Sequence, residues 1–386
     1  MFNPHASTTI RPTAGRDVSF PILHGQMSIK MVMGQYGHIH SDLRKYVRTE
    51  NKPSTHFMPL DISAECQTKP FAFDVRDAEM IATHYEQVKT GRIRAIKMTD
   101  LPDLLCSSQY ETVNMENGRP VLLGKGGNGT AFLGRCKETN QLVTLKFAHK
   151  ANPLNTNSGV YSALIECGVH KRAYEAVQRA ESKGEIVAKV PQIYGILKLK
   201  DRSEYLRKYF SYIIVSEFIG LVPNNPVALT WDKAVALNKK NPAVFDDASF
   251  INMLCALIRT TEILVENNMM HADIKGNNIL IGIHGGKPVP YLIDFGNAFE
   301  QIEENVIIYN LDKHDWLDPY LYQGSAPTKT GDLYSMWVLM DKSSARMERL
   351  YHLRELARWQ KKIPVSKRLT HKQARVVLQN TKVTSS

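Results

Sequence analysis

The stretch on which the fold turns is His271-Ala272-Asp273-Ile274-Lys275-Gly276-Asn277-Asn278, with Asp294-Phe295-Gly296 a little further on. Between them lie two short apolar runs, Ile279-Leu280-Ile281 and Tyr291-Leu292-Ile293, around Gly285-Gly286, which read as two strands and their turn. Upstream, the residues from Asp247 to Glu266 place Phe250, Leu254, Leu257, Ile258, Thr261 and Leu264 at spacings of three or four with one single-residue step. That is the apolar stripe of a helix facing a core. The helix delivers the chain to His271, so Asp273, Lys275, Asn278 and Asp294 are expected at the ends of buried elements, where polar side chains serve chemistry.

Working outward toward the N-terminus, Val121-Leu122-Leu123 leads into Gly124-Lys125-Gly126-Gly127-Asn128-Gly129, then Ala131-Phe132-Leu133-Gly134 and Leu142-Val143-Thr144-Leu145-Lys146-Phe147. The spacing Gly124-x-Gly126-x-x-Gly129 also occurs in dinucleotide-binding folds, but there it opens a helix, and here strands follow. A strand-loop-strand setting reads either as a flap whose amides cover phosphates or as a plain glycine-rich hairpin turn. Lys146, ending the third strand, is either a solvated strand end or a charge turned inward to phosphate. A helix from roughly Tyr161 to Ala180, with Leu164, Ile165, Val169 and Tyr174 near one face, offers Glu166 as its carboxylate partner, with Glu175 the alternative. An apolar strand, Tyr212 to Val215, comes next. Strands first, one helix among them, then a long helical part predict an α+β fold.

The stretches His271 to Asn278 and Asp294-Phe295-Gly296 resemble the H-R-D-L-x-x-x-N and D-F-G elements of the eukaryotic-type protein kinase superfamily, and Val143-Thr144-Leu145-Lys146 resembles its V-A-I-K element. The resemblance covers roughly residues 119 to 340. It implies a two-lobed fold, an antiparallel-sheet lobe over 119–220 and a mainly helical, shortened lobe over 221–386, preceded by an extension, 1–118, of unassigned role. It also implies ATP and Mg²⁺ as cofactors and protein substrates as partners. Phosphoryl transfer asks a protein to position a nucleophile and neutralise phosphate charge. Asp273 would then orient the acceptor hydroxyl, and Lys275 would balance γ-phosphate charge. Asn278 and Asp294 would supply hard oxygen ligands to Mg²⁺. Gly124, Gly126 and Gly129 would cover the phosphates, which Lys146, oriented by Glu166, would pair. Glu217-Phe218-Ile219 resembles the hinge that binds the adenine edge, with Ser216 guarding the pocket behind it and Ala131 and Thr144 over the ring. Lys275 favours serine and threonine acceptors.

The chain also departs from the family pattern. Ala272 stands where most regulated kinases have Arg, and no Ser or Thr occurs from Asp294 to Tyr320, Tyr309 being the one interior hydroxyl. Activity without phosphorylation of that segment is therefore expected. Asp318-Pro319-Tyr320 replaces A-P-E, so the Glu of the family's buried ion pair is missing. Asp332, in Gly331-Asp332-Leu333-Tyr334, resembles the structural carboxylate that braces the catalytic loop. The shortened second lobe resembles kinases of large DNA viruses, herpesvirus-type ones among them. Two other classes remain to be weighed: a small-molecule phosphotransferase of the aminoglycoside or choline kinase type, and a pseudokinase scaffold. Lys275, the full Asp294-Phe295-Gly296 and Asp332-x-Tyr334-Ser335 oppose the first; the presence of Lys146, Asp273, Asn278 and Asp294 opposes the second.

The composition is that of a folded protein: of 386 residues, 43% are hydrophobic and 23% charged, which excludes a collagenous or wholly disordered chain. Five scattered cysteines with no C-x-x-C pair argue against a disulfide framework or thiolate zinc site. His38-x-His40 has no second pair beside it and reads as two solvated histidines. No window offers the roughly 18 uninterrupted apolar residues of a membrane span, and no signal sequence is evident, so an intracellular location, cytoplasmic or nuclear, is expected. The net charge is +11, and residues 345–386 alone hold eleven Lys and Arg against two Glu, or nine of those charges. This C-terminal basic segment reads either as a site for acidic partners, nucleic acid or nuclear import, or as a solvated helix face.

Overall fold

Period-two alternation builds the first lobe. In Leu142–His149, Val143, Leu145 and Phe147 alternate with Thr144, Lys146 and Ala148, so the two sets face opposite sides of the strand. The first set joins Tyr110, Phe132, Leu197, Ile213 and Val215 in one buried cluster, and Ala148 joins Ala163, Cys167, Ile196, Tyr212 and Ile214 in another. The computed structural model describes residues 105, 109–114, 118–126, 129–149, 158–198, 210–220, 228–240, 246–284, 287–300, 315–319, 329–345, 347 and 350–381, all within one compact unit, His56–Ser386. The helix expected near Val75 to Val88, the histidine pair and Tyr309 lie outside the described residues.

The strands of this lobe are Tyr110–Thr112 (β1), Leu122–Lys125 (β2), Gly129–Cys136 (β3), Leu142–His149 (β4), Ile193–Lys198 (β5) and Phe210–Glu217 (β6). They form one sheet in the order β1-β3-β4-β6-β5, with β2 also on β3, and every pairing is antiparallel. β3 is long enough to hold β2 along Thr130 to Phe132 and β1 along Gly134 to Cys136. β1 falls inside 1–118, so the sheet begins ahead of the expected boundary at 119. Three residues alternate too briefly to be read as a strand; their pairing with β3 decides it. The helix Ser158–Glu181 (α1) lies against β4, β5 and β6.

The second lobe is organised by the helix Asp247–Glu266, here α3, which follows the strand Leu229–Thr230 (β7) and the helix Trp231–Lys240 (α2). Asp246 caps α3, its side chain accepting the Ser249 N–H at 2.7 Å. Thirteen residues of α3 are buried, well beyond the expected stripe, because α1, the hairpin strand Lys287–Leu292 (β10) and the helices Gly331–Ser344 (α4) and His371–Gln379 (α6) surround it. By length and composition alone α3 could cross a membrane, but most of its apolar window is buried inside protein. After it come Met269–Met270 (β8) and Ile279–His284 (β9), with β10 paired to β9, and β7 on the other edge of β9. Phe299–Glu300 (β11) pairs with β8. The expected two strands around Gly285-Gly286 are thus a hairpin in register, Ile279 opposite Leu292.

The C-terminal residues are not an appendage. Tyr351–Lys362 (α5) packs on α4, and α6, opened by a Thr370/Gln373 capping box, packs on α3. Arg354, Arg358 and Lys361 converge on Asp341 of α4, and Arg375 meets Glu262 of α3. Four of the segment's cations are thus used in ion pairs with α3 and α4, and residues 350–381 pack as part of the lobe.

Candidate active site

The alternation along β4 sends Lys146 to the side of α1. There Glu166, one turn beyond the buried Ala163, meets it: Lys146 Nζ lies 2.5 Å from Glu166 Oε1 and 2.7 Å from Asp294 Oδ1. Glu175 is exposed on the outer face of α1, so of the two carboxylates proposed from sequence it is Glu166 that reaches the lysine. Burial works against the Lys146 ammonium, but the two carboxylates outweigh it and hold its pKa above the ordinary value. Burial likewise opposes ionisation of Asp294, yet Lys146 beside it holds that carboxyl below the usual range.

Three rings fix the turn that carries Asp294. Phe295 is fully buried, stacked on His170 of α1 at 4.6 Å between centroids and edge-on to His271 at 4.7 Å. His170 Nε2 lies 2.9 Å from the Pro191 carbonyl, and burial pushes its pKa down to about 3, so the ring is neutral at pH 7. Asp294 has φ 65° and Ala272 has φ 57°, a left-handed conformation that costs a non-glycine residue roughly 1–2 kcal/mol. The Ala272 strain is offset by Asp332, whose carboxylate accepts the His271 N–H at 2.7 Å and the Ala272 N–H at 3.0 Å. The carboxylate expected to brace this loop therefore does contact it.

Asp273 sits at the centre. Lys275 Nζ is 2.9 and 2.8 Å from its two oxygens, and Asn278 Nδ2 donates to Oδ2 at 2.9 Å and to the Asp273 carbonyl at 2.9 Å. Trp316 Nε1 donates to Oδ1 at 2.8 Å. Nothing in the sequence marked Trp316, which belongs to no motif and is brought to Asp273 across 43 residues. The amide nitrogen of Asn278 is committed to Asp273, leaving its oxygen as the ligand-capable atom, and the Ile293 N–H binds the Asn278 carbonyl at 3.0 Å. This ties Asn278 to the residue before Asp294. Among the described residues no three His, Cys, Asp or Glu side chains cluster as a metal cage. Two oxygen donors, the side chains of Asn278 and Asp294, would suit Mg²⁺, a hard ion that can draw its other ligands from phosphate and water.

The glycines divide by role. A Cβ on Gly129 would lie 2.6 Å from the Phe147 carbonyl oxygen, so strand packing forbids a side chain there, whereas beside Gly124 and Gly126 a Cβ would meet nothing. At those two positions the protein's own packing does not require glycine, and the space a side chain would fill is empty of protein atoms, although the Gly126 N–H is bonded to the Gly129 carbonyl at 2.9 Å. Gly127 and Asn128 lie outside the described residues. At the end of β6, the Glu217 N–H and carboxylate are both tied to Gln192, and its carbonyl lies 3.4 Å from Thr144 Oγ1. Ser216 is buried opposite Thr144, and Ala131 pairs with Lys146.

The Glu of A-P-E is absent, as the sequence reads, and the segment has a buried ion pair at another position: Asp318 Oδ2 lies 2.6 Å from Arg368 Nη1, with both side chains almost fully buried. The acid is the first residue of Asp318-Pro319-Tyr320, and its partner comes from the C-terminal basic segment.

No family model matches the chain. It is 20% identical over 267 residues to mitogen-activated protein kinase kinase kinase A of Dictyostelium discoideum, a match covering 68% of this chain and 25% of that one. It is 23% identical over 182 residues to a serine/threonine-protein kinase of Nostoc, covering 47% of this chain and 27% of the relative. A probable serine/threonine-protein kinase of fowlpox virus is 23% identical over 229 residues, 57% of this chain and 70% of the viral one. The chain thus spans about a quarter of the length of the first two relatives. Its two-lobed α+β architecture, the order of its motifs and these three kinase relatives together establish its resemblance to the protein kinase superfamily.

Proposed function

We propose that the protein is an ATP-dependent kinase that transfers the γ-phosphate to Ser or Thr hydroxyls of protein substrates, without needing phosphorylation of the segment after Asp294. The observation that carries this reading is a pair of side-chain clusters: Lys146–Glu166–Asp294, gathered from three distant elements, and Asp273–Lys275–Asn278, whose Asn278 carbonyl accepts the N–H of Ile293 beside Asp294. A phosphate-pairing lysine and a hydroxyl-orienting carboxylate are what phosphoryl transfer requires of a protein. The side-chain-free space beside Gly124 and Gly126 suits phosphates, and the Glu217 carbonyl suits an adenine amino group.

In this scheme Asp273 accepts a hydrogen bond from the substrate hydroxyl and orients it in line with the γ-phosphate. Lys275 turns from Asp273 toward the transferring group and stabilises its charge. Asn278 and Asp294 would hold Mg²⁺, which when bound neutralises charge on the phosphate oxygens. Glu166, the other partner of Lys146, keeps its ammonium aimed for pairing with phosphate. Lys275 and the names of the Nostoc and fowlpox relatives support Ser/Thr acceptors. Ala272 and the absence of Ser and Thr from Asp294 to Tyr320 support independence from segment phosphorylation.

Asp273→Asn tests the reading. Transfer to a generic protein substrate should fall by about 10²–10⁴-fold with nucleotide affinity little changed, and unchanged turnover would sink the assignment. Transfer to amino-sugars or choline but not to protein would favour the small-molecule class. Activity that appears only after phosphorylation of Tyr309 would refute the unregulated segment.

A further inference from the structure

Asp273 is surrounded by more donors than its role needs. A carboxylate has about four acceptor positions, and four contacts fill them: Lys275 on both oxygens, Asn278 on Oδ2 and Trp316 on Oδ1. A substrate hydroxyl can bind only where one of these donors leaves. Asn278 cannot leave easily, because the same amide nitrogen also holds the Asp273 carbonyl and its backbone is tied to Lys275 and Ile293. Trp316 is held as firmly. Its carbonyl accepts the Ser335 hydroxyl at 2.6 Å, and its neighbour Asp315 pairs with Lys342 at 2.8 Å, both partners on α4. Asp318, two residues on, is clamped by Arg368. Lys275 is the flexible member, and its ammonium rests 4.6 Å from the centre of the Trp316 ring.

We propose that Trp316 is a positioning residue for the transfer step: its indole N–H fixes the plane of the Asp273 carboxylate from one side while Asn278 fixes it from the other, and its ring face parks Lys275. When Lys275 moves to phosphate, the acceptor positions it vacates are already aimed, because the other two donors have not moved. The inference rests on the reading of Asp273 as the hydroxyl-orienting carboxylate. Trp316 touches neither nucleotide nor hydroxyl in this scheme, so its removal acts on turnover and not on nucleotide binding.

The test uses the full-length protein. Trp316→Phe keeps the ring for Lys275 and deletes the N–H, removing one hydrogen bond to a charged group; kcat should fall by about ten- to a hundredfold, with KM for ATP within about twofold and the melting temperature preserved. In a ¹⁵N spectrum of the four tryptophan indoles, the Trp316 Nε1–H signal should move upfield in Asp273→Asn, where the anionic acceptor is gone. A Trp316→Phe protein with wild-type kcat overturns the proposal while leaving the kinase reading intact. An indole signal that does not respond to Asp273→Asn overturns it too, even if Trp316→Phe fails to fold. Absence of transfer by the wild type, with the indole signal responding, refutes the function and retains the contact.

Discussion

Asp318→Ala should be among the most damaging substitutions outside the catalytic groups. The side chains of Asp318 and Arg368 are only 1% and 3% exposed, their charged atoms are 2.6 Å apart, and the guanidinium also lies 4.9 Å from the centre of the Tyr334 ring. Deleting the carboxylate leaves a guanidinium that cannot lose its proton in a site with little water. Breaking a buried pair from one side costs about 3–5 kcal/mol, whereas replacing both partners with apolar groups of similar volume is often neutral. Asp318→Ala and Arg368→Ala should each therefore lower the unfolding free energy by about 3–5 kcal/mol. The double variant Asp318→Ala/Arg368→Ala should cost well under the sum of the two, a coupling well above the few tenths expected of independent sites. Urea unfolding followed by far-ultraviolet circular dichroism measures all of these. Single variants that cost under about 1 kcal/mol, or a double variant equal to the sum of its parts, would refute the clamp. Because Asp318 is two residues from Trp316, the single variants should also weaken the indole contact to Asp273.

His170 predicts a pH dependence of stability. Its pKa is lowered to about 3 in the folded protein from 6.5, so as pH falls the unfolded chain binds the proton first. Its contribution is complete above pH 6.5 and declines by about 1.4 kcal/mol per pH unit down to about pH 3. His170→Leu should flatten the loss between pH 7 and pH 5 by about 2 kcal/mol. His371, pushed to about 4 by burial, acts in both proteins, and identical losses in wild type and variant would contradict the account. At the flap, Gly129→Ala should destabilise by about 1–3 kcal/mol, because its methyl would collide with the Phe147 carbonyl. Gly126→Ala should leave the melting temperature unchanged but raise KM for ATP, and a change in both or in neither would misplace the phosphate flap.

The strand alternation around Lys146 and the helix stripe from Asp247 to Glu266 follow from spacing, since side-chain direction repeats every two residues in a strand and every 3.6 in a helix, and the order of Gly124, Lys146, Asp273 and Asp294 is legible through its resemblance to the kinase pattern. The choice between Glu166 and Glu175 was open because both lie on one helix, and which of its faces meets β4 depends on the surrounding core. β1 escaped notice because a three-residue strand has no pattern of its own. The contacts of the basic C-terminal segment could not be read, because charge counts along the chain do not show that Asp341 and Glu262 lie opposite it.

By itself, then, the sequence determined the principal strands and helices, the α+β class and the candidate site residues, because propensity, periodicity and motif spacing are local. Only tertiary structure decided which groups meet: Glu166 with Lys146, Trp316 with Asp273, and Asp318 with Arg368. Each of these contacts joins residues 20 to 50 positions apart. Their physical basis is the same in each case. A buried charge must find a partner wherever the packed chain places one, and distance along the sequence sets no limit on where that is.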